Sequence, residues 1–427
     1  MIGSKIYKLA KKLWPINRSI TGNGVRTTLK IFKKICPNLK IIEVASGKKV
    51  FDWKIPKEWN VKEAWLKGPS GEKIADFSKN NLHLVGYSIP IKGKFNLDQI
   101  KKHIHTIKNQ PNAIPYVTSY YKRAWGFCIS FDKYKKLKKG LYEVFINSEI
   151  KNGYLTYGEL LIPGKKKKEI FLSTNICHPS MANNEISGPV VTINLAKWIS
   201  SIKNKQYTYR IVFVPETIGS IAYLSKKYKQ LKKNVVAGFN VVCVGDNRCY
   251  SYLPSRDGNT LSDKILKHVL KSKKKKYYTY KWIDRGSDER QYCSPGIDLP
   301  IATIMRSKYG TYPEYHTSLD NLKNVVTPLG LNGSYHILKL TIKTLEENHF
   351  YKTKFLGEPH LSKRKMYPTT SIKNNISEEL RKMMDIISYS DRKTSIIEIA
   401  DKLSMSIRDL NQIIYKLEKK KLIRKVL

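Results

Sequence analysis

The feature that most constrains the fold is the stretch CHPSMANNEISG at 177–188, together with the segments on either side of it. The apolar run IFL at 170–172 predicts a buried strand, and the segment PVVTINLAKWI at 189–199 predicts a helix. Open α/β sheets bind ligands and metals where a strand ends and a loop leads into a helix. His178 is therefore a candidate metal ligand, and a loop histidine bonded to backbone is the alternative.

Three further apolar runs lie next to polar residues. RIVFVP is followed by Glu216 and NVVCVG by Asp246, and IATIM lies between Asp288 and His316. Strands that alternate with helices predict a parallel sheet, in which strand ends of one kind lie along one edge. Two histidines with an aspartate and a glutamate are a ligand set suited to zinc. Taken singly, each carboxylate has a simpler interpretation as a helix N-cap or a surface pair.

The order and spacing of these residues, from about 160 to 325, resemble those of the zinc aminopeptidase family that includes bacterial leucyl aminopeptidases and animal glutaminyl cyclase. That family reads His-x-Asp, Asp-x-x-Ser-Gly, Glu-Glu, a strand-end Asp, Ser-Asp-His and His-Thr-x-x-Asp. The matching residues here are His178, Ser187, Gly188, Glu216, Asp246, Ser287, Asp288, His316, Thr317 and Asp320.

A closer resemblance, over nearly the whole chain, is to an uncharacterised aminopeptidase-like bacterial family often associated with surface-polysaccharide genes. Its members open with a stretch similar to WPINRSITGNGVRTTL at 14–29, carry an inserted domain and end in a winged helix. The resemblance implies an α/β fold with a three-layer zinc-aminopeptidase-like (phosphorylase/hydrolase-like) mixed sheet, a small α+β insertion and a C-terminal winged-helix domain.

The expected divisions follow from this resemblance and from changes in composition. They are 1–47 for the N-terminal part of the aminopeptidase-like domain, 48–140 for the inserted α+β domain, 141–355 for the aminopeptidase-like α/β domain, 356–375 for a linker, and 376–427 for the winged helix-turn-helix domain.

The resemblance also implies the roles of the site residues. The expected metal ligands are His178, Asn184, Asp246 and His316. Glu216 is the expected general base, which takes a proton from a zinc-activated water and passes it to the leaving amine.

Four more residues are expected near the substrate. Asp288, grouped with the catalytic residues, would orient His316 or bind the substrate amine. Glu289 and Arg290 would bind substrate beside it. Arg18 precedes a glycine-containing helix start, where it would bind an anion of the substrate or serve local packing.

Three positions depart from the family's ligand pattern. The aspartate two residues after the histidine is Ser180, the bridging aspartate is Asn184, and the second glutamate is Thr217. Each change removes an anionic ligand, and a neutral amide neither cancels the repulsion of two dications nor bridges them strongly. We therefore expect one zinc ion. Glu185 would compensate only weakly, and Glu216 is the alternative ligand in place of Thr217.

Length and composition predict a cytoplasmic, multidomain chain. The 427 residues predict two to four domains. The sequence contains no run of about 18 apolar residues, so we expect no transmembrane helix. The N-terminus MIGSKIYKLAKKLWPI is typical of an amphipathic helix rather than a signal peptide. The six cysteines lack CxxC spacing and are expected to be reduced and mostly buried, with Cys177 and Cys293 as alternative extra ligands.

The net charge of +45, from 79 Lys and Arg against 34 Asp and Glu, attracts phosphates and anionic surfaces. The lysines are spread along the whole chain, with runs at 165–168 and 273–276. A lysine-rich coding bias produces the same pattern. Nucleic-acid binding is therefore an open alternative that charge alone does not favour.

Two segments outside the central pattern are candidates for binding. TSYYKRAWGFC at 118–128 interleaves aromatic residues with Lys122 and Arg123, which forms either a binding rim or packing within the insertion. The tail resembles winged helix-turn-helix domains, with N-caps expected at Ser395 and Ser406. Its third helix would expose Arg408, Asp409, Asn411 and Gln412. We favour packing or homo-oligomerisation over DNA binding for this domain.

Two classes of function follow. The first is a zinc-dependent, aminopeptidase-like hydrolase of an amide bond in a small-molecule or peptide-like substrate. The resemblance implies a place in surface-polysaccharide metabolism. The alternative is a catalytically lapsed peptidase-fold protein that binds or regulates, and uses its winged helix for contact with DNA or protein.

Overall fold

A computed structural model describes residues 1–273, 277–366 and 378–426 of the chain. It divides into a first unit of residues 1–263 and 276–338 and a second unit of residues 264–275 and 339–427. The helices are, in chain order, α1 (Ile2–Leu13), α2 (Asn23–Ile35), α3 (Leu97–Lys101), α4 (Phe131–Lys135), α5 (Ser187–Ser201), α6 (Ile218–Asn234), α7 (Leu261–Ser272), α8 (Glu289–Tyr292), α9 (Pro328–Glu347), α10 (Glu378–Ser388), α11 (Ile396–Lys402) and α12 (Ile407–Lys419).

The strands, also in chain order, are β1 (Lys40–Ala45), β2 (Lys49–Val50), β3 (Trp53–Lys54), β4 (Glu58–Lys67), β5 (Lys73–Asp76), β6 (Ile91–Asn96), β7 (Ile104–His105), β8 (Phe127–Cys128), β9 (Leu141–Lys151), β10 (Tyr154–Ile162), β11 (Glu169–Asn175), β12 (Thr208–Val214), β13 (Val235–Val241), β14 (Tyr250–Leu253), β15 (Tyr277–Thr279), β16 (Ile301–Met305), β17 (Phe350–Thr353), β18 (Asp391–Ser395) and β19 (Ile423–Val426).

The central sheet of the first unit has the strand order β1-β10-β12-β11-β13-β16-β14-β15. β11, β12, β13 and β16 pair in parallel, whereas β10 and β14 run antiparallel to β12 and β16. Every residue of β11 and β16 is buried, because helices cover both faces of the sheet. The mixed, three-layer α/β sheet expected from the sequence is confirmed.

Two connections open a crevice at one edge of this sheet. α5 carries the chain from β11 to its neighbour β12, and α6 carries it from β12 back across β11 to β13. Crossovers between parallel strands are right-handed, so connections in opposite directions place α5 and α6 on opposite faces. α1 and α2 pack with α5, and α8 packs with α6. The crevice therefore opens between the carboxyl ends of β11 and β12.

The insertion forms its own antiparallel sheet, in the order β5-β4-β9-β6. β9 pairs with β4 and β6, whereas β10 pairs with strands of the central sheet. The expected boundary at residue 140 is therefore wrong, because β9 (Leu141–Lys151) belongs to the insertion. β9 alternates buried and more exposed positions, which suits an antiparallel sheet with one face in water rather than a fully covered strand.

The second unit contains the three-stranded sheet β18-β17-β19 with α10, α11 and α12. Because β17 pairs with both β18 and β19, the expected end of the α/β domain at 355 wrongly includes a strand of the winged helix. Ser395 and Ser406 cap α11 and α12, as expected. Residues 367–377, which hold the end of the expected linker and the expected start of the last domain, lie outside the described residues, as do residues 274–276 of one lysine run.

The exposed face of α12 differs at one position from expectation. Arg408, Asp409 and Gln412 are exposed, whereas Asn411 is partly buried and donates a hydrogen bond to Glu347 at 3.2 Å. In the part of the chain that the structure describes, no helix is both long enough and apolar enough to cross a membrane.

Glu58 links the insertion to the central sheet. It lies on β4, pairs with Arg26 of α2, and accepts a hydrogen bond from the backbone N–H of Tyr154 on β10 at 3.0 Å. Burial raises the pKa of Glu58, but Arg26 and the other donors outweigh it and lower the pKa to about 2. The ionised carboxylate is therefore the form that stabilises this junction.

We predict that Glu58→Gln lowers the free energy of unfolding at neutral pH, and that its deficit relative to the wild type shrinks in acid. A folded-state pKa below the ordinary value gives stabilisation that is present above pH 4.5 and is lost as the pH falls toward 2. Urea unfolding at about pH 7 and about pH 3 measures the deficit. Glu63→Gln, exposed on the same strand, is the control. A deficit of equal size at both pH values would contradict the assignment.

Candidate functional site

The loop after β11 holds His178 against a carboxylate. A π-helical turn, Ala182–Ile186, precedes α5 and places Glu185 so that its Oε1 pairs with His178 Nδ1. The backbone N–H of Cys177 donates to Glu185 Oε2 at 2.8 Å. π-helical turns are rare in proteins, and those that do occur are often found at functional sites. With Nδ1 taken by Glu185, the His178 ring presents Nε2 to the crevice.

Negative charge concentrates around His178. Burial lowers the pKa of His178, but Tyr116, Cys177 and Glu185 outweigh this effect and raise it well above its usual value. Burial raises the pKa of Glu185, but His178 outweighs it and the net shift is downward. The surroundings of this ring therefore favour a positive charge.

Arg18 lies buried near these groups. Its Nη1 donates to the backbone carbonyl of Leu13 at 2.9 Å, and only 2% of the residue is exposed. Burial lowers the pKa of Arg18 to about 10, against the opposing effect of Glu185 and Cys177. A guanidinium buried in this way does not fit the expected role in substrate binding. It balances the charge of Glu185 from inside the protein.

The loop after β12 places Glu216 beside His178. Glu216 Oε2 lies 3.7 Å from His178 Nε2, and 21% of the Glu216 side chain is exposed. The backbone N–H of Glu216 donates to Cys177 Sγ at 3.1 Å. Thr217 follows with φ 63°, a conformation that is strained for a β-branched residue and that occurs mainly at functional sites.

Asp288 supports this strained loop from beneath. Its Oδ1 accepts hydrogen bonds from Thr217 N and Ser220 Oγ, both at 2.8 Å. Burial and then Glu216 raise the pKa of Asp288 well above its usual value, and burial also raises the pKa of Glu216. Asp288 is fully buried and holds the Glu216 loop, so its expected contact with the substrate amine does not fit its place.

Arg290 lies on the crevice side of the same loop. Its Nη2 donates to Thr217 Oγ1 at 2.7 Å, and its charge opposes the rise in the pKa of Glu216. Arg290 is exposed, unlike Asp288. Its position therefore remains compatible with the expected contact to substrate.

His316 lies in the loop after β16 and faces His178. The two ring centroids are 5.4 Å apart, although the residues are distant in sequence. His316 has φ 56° and stacks on Tyr315 with a centroid distance of 3.9 Å. Its Nε2 is buried and has no hydrogen-bond partner among the described residues. Burial and His178 lower the pKa of His316 to about 3, so the ring is a neutral imidazole with an available nitrogen.

The insertion contributes aromatic side chains that sequence reasoning missed at this site. The Tyr116 ring lies 4.9 Å from the His178 ring and 5.4 Å from the His316 ring. The backbone N–H of Tyr116 donates to the His316 carbonyl at 3.0 Å, and a short bridge joins Pro115 to Thr317. The only sequence signal was the aromatic segment at 118–128, which begins two residues later.

Asn184, expected as a ligand, is held next to the loop by Asp320. The Asp320 carboxylate accepts hydrogen bonds from the backbone N–H groups of Asn183 and Asn184 at 2.7 and 3.0 Å. The Asn184 side chain donates to Cys243 Sγ at 3.8 Å, and its Oδ1 is buried without a partner among the described residues. That oxygen is neutral and remains available as a weak ligand.

Asp246 is engaged entirely by the protein. Its carboxylate accepts hydrogen bonds from Ser307 N and Oγ, Asn183 Nδ2 and Arg248 N, at 2.8–3.1 Å. Both oxygens are thus occupied, and neither is bonded to His178. The expected role of Asp246 as a metal ligand does not fit this network.

Glu289 is a second carboxylate whose partners all come from the protein. One oxygen accepts from Gly286 N, Ser287 N and Tyr309 Oη, and the other from Asn240 and Thr303, at 2.6–3.0 Å. The residue is fully buried. The expected role of Glu289 in substrate binding does not fit this arrangement, because five protein donors already occupy its carboxylate. Glu289 instead fixes the loop that leads to Asp288.

We predict that Glu289→Gln lowers the free energy of unfolding by about 2–3 kcal/mol, because a neutral amide leaves buried donors without an acceptor. Glu216→Gln serves as the comparison and should cause no such loss, since burial already disfavours that carboxylate. Chemical denaturation followed by circular dichroism measures both. Equal stability of the Glu289 variant and the wild type would reject the structural role.

The donors present fit a single metal ion. Within the described residues, Cys177, His178 and Glu185 bring potential ligand atoms within 4.8 Å of one another. However, Nδ1 of His178 is paired with Glu185, and burial raises the pKa of Cys177 to about 12, which keeps the thiol protonated and a poor ligand. Nε2 of His178 and Nε2 of His316 form the more suitable pair, with the Glu216 carboxylate beside them. The surroundings that favour a positive charge on His178 would equally favour a cation bound at its Nε2 in place of the proton.

Comparison with known proteins identifies relatives along nearly the whole chain. A family described as a domain of unknown function (DUF4910) matches residues 7–348, and one described as winged helix-turn-helix matches residues 349–425. A Clostridium acetobutylicum protein provisionally named a polysaccharide biosynthesis protein with an aminopeptidase-like domain is 43% identical over 425 residues, covering 99% of this chain and 97% of that protein.

Solved structures give the same fold. A Clostridium acetobutylicum crystal structure provisionally named a peptidase has a TM-score of 0.92 at 42% identity, covering 100% of this chain and 97% of that one. A zinc aminopeptidase from Bacillus subtilis has a TM-score of 0.57 at 12% identity, covering 80% of this chain and 94% of that one. The aminopeptidase-like fold and the C-terminal winged helix expected from the sequence are therefore confirmed.

Proposed function

We propose that this chain, which belongs to the DUF4910 family, is a zinc-dependent, aminopeptidase-like hydrolase of an amide bond, with one ion per chain. The observation that carries the proposal is the convergence of His178, His316 and Glu216 at the carboxyl edge of the parallel strands. Two uncommitted imidazole nitrogens beside a carboxylate suit a catalytic zinc site.

His178 and His316 would hold the ion through Nε2, with Asn184 Oδ1 as a weak further ligand. When bound, zinc supplies Lewis-acid chemistry, which polarises an amide carbonyl and acidifies water. A second ion has little to hold it, because Asn184 and Thr217 replace anionic ligands of the resembled family and Asp246 is occupied.

Glu216 is the proposed general base. Its partly exposed carboxylate accepts a proton from the attacking water as the water oxygen bonds to the amide carbon. The C–N bond then breaks, and Glu216 returns the proton to the leaving amine. Asp288 acts through Glu216 as a positioning residue, since it fixes the Thr217 backbone. Arg290, exposed beside Thr217, is the proposed contact to the substrate.

The substrate we propose is a carbohydrate-linked amide. The polysaccharide-biosynthesis name of the Clostridium acetobutylicum relative supports this class. The proposed reaction is therefore removal of an amide-linked group from a sugar-containing molecule, rather than general digestion of peptides.

We predict that Glu216→Gln reduces turnover by about 10²–10⁴-fold and leaves folding intact, because the amide keeps the shape of the side chain and cannot accept the proton. Hydrolysis of a panel of aminoacyl anilides and amino-sugar amides measures the effect. Glu43→Gln, which changes an exposed carboxylate outside the site, is the control. Undiminished turnover in the Glu216 variant would remove it from the mechanism. A zinc-free wild type inactive on the whole panel would favour the catalytically lapsed binding protein.

Glu185 takes over the task of the carboxylate that is missing at Ser180. It accepts a hydrogen bond from His178 Nδ1–H and so fixes the tautomer in which Nε2 is a ligand. We predict that Glu185→Gln weakens zinc binding by about 10–100-fold, and that Ser180→Ala leaves it unchanged. Competition with a chromophoric chelator measures both affinities. Equal effects of the two substitutions would show that Glu185 does not orient His178.

A further inference from the structure

A cavity of about 560 Å³ lies in the insertion, next to the proposed active site. Its lining includes Lys57, Tyr87, Tyr120, Tyr121, Lys122 and Arg123. Tyr120 joins the cavity to the site, because its hydroxyl lies 3.1 Å from the hydroxyl of Tyr116, whose ring contacts His178. Burial raises the pKa of Tyr120, and the nearby charge of His178 opposes that rise. A molecule in this cavity would therefore contact Tyr120, whose partner Tyr116 packs against His178.

The aromatic wall of the cavity is held in place before any ligand arrives. Tyr87 stacks on Trp59 at 5.5 Å, and its hydroxyl is hydrogen-bonded to Thr21 at 2.5 Å. Tyr120 packs edge-on against Tyr87 at 5.5 Å. Tyr121 is 57% exposed, yet its hydroxyl donates to the Lys54 carbonyl at 2.8 Å. These fixed tyrosine rings offer apolar surface on which another ring can pack.

The rim of the cavity carries uncompensated positive charge. Lys57, Lys122 and Arg123 are exposed, and none of them forms an ion pair with a carboxylate in the described parts of the chain. Glu149, which also lines the cavity, is paired with Lys151 at 2.9 Å. Three cations without partners, beside an aromatic wall, suit an anionic group on a ring-bearing molecule.

We propose that this cavity binds an acidic sugar of the substrate, with its ring on the tyrosines and its carboxylate or phosphate on Arg123 and Lys122. A guanidinium binds planar carboxylates and phosphates through paired hydrogen bonds, and a lysine adds charge. The inference deepens the proposed function, and rests on it for the link to an amide substrate. The segment at 118–128 is then a binding rim rather than packing alone.

Ligand binding tests the proposal without any need for turnover. Saturation-transfer NMR titrations of the full-length protein would use glucuronate and glucose 6-phosphate as the acidic sugars, with glucose and inorganic phosphate as comparisons. At least one acidic sugar should bind more tightly than either comparison ligand. The double variant Lys122→Gln with Arg123→Gln should weaken that binding by about 10-fold or more.

The matched control is Lys101→Gln with Lys139→Gln, which removes the same charge from exposed lysines of the insertion outside the cavity. This control should leave affinity within about twofold. No binding of either acid, equal weakening by the control, or equal affinity for inorganic phosphate would overturn the proposal. The two proposals can fail separately. If the purified protein holds no zinc and hydrolyses no amide but still binds the acidic sugar, the cavity proposal stands and the proposed function is rejected.

Discussion

The site depends on the parallel pairing of β11, β12, β13 and β16. Parallel strands bring their carboxyl ends to one edge, and the opposite directions of the α5 and α6 connections open a crevice there. Residues that are far apart in the sequence, such as His178 and His316, therefore lie with their rings 5.4 Å apart. Thr217 and His316 have positive φ values, a conformation that the surrounding structure must hold in place.

The charges at this edge are arranged differently from those of the resembled family. Glu185, carried by a π-helical turn, pairs with His178 where the family uses a carboxylate two residues after the histidine. Arg18, buried beneath, offsets part of the negative charge. Asp246 and Glu289 are held by protein donors. The anionic groups left facing the crevice are few, which is why one ion suits this site better than two.

The central strands and the caps at Ser395 and Ser406 could be predicted, because their signals lie within a few neighbouring residues. The positions of His178, Glu216 and His316 at one edge followed from the parallel topology. β9 was misplaced because its partner strands are distant in sequence. The same holds for Tyr116, which reaches the site through a contact between the insertion and the His316 loop. The carboxylates of Glu289 and Asp246 accept hydrogen bonds from donors in several distant segments, and local sequence patterns do not reveal such contacts.

The most direct test of whether His178 and His316 hold one zinc ion is the zinc content of the protein. It is measured by inductively coupled plasma mass spectrometry on protein purified without a metal-affinity column. We expect one tightly bound zinc per chain in the wild type and none in the double variant His178→Ala with His316→Ala. The matched control, His105→Ala with His336→Ala, removes two exposed histidines and should retain the ion. Two tightly bound zinc ions in the wild type, or full retention in the His178 and His316 variant, would contradict this expectation.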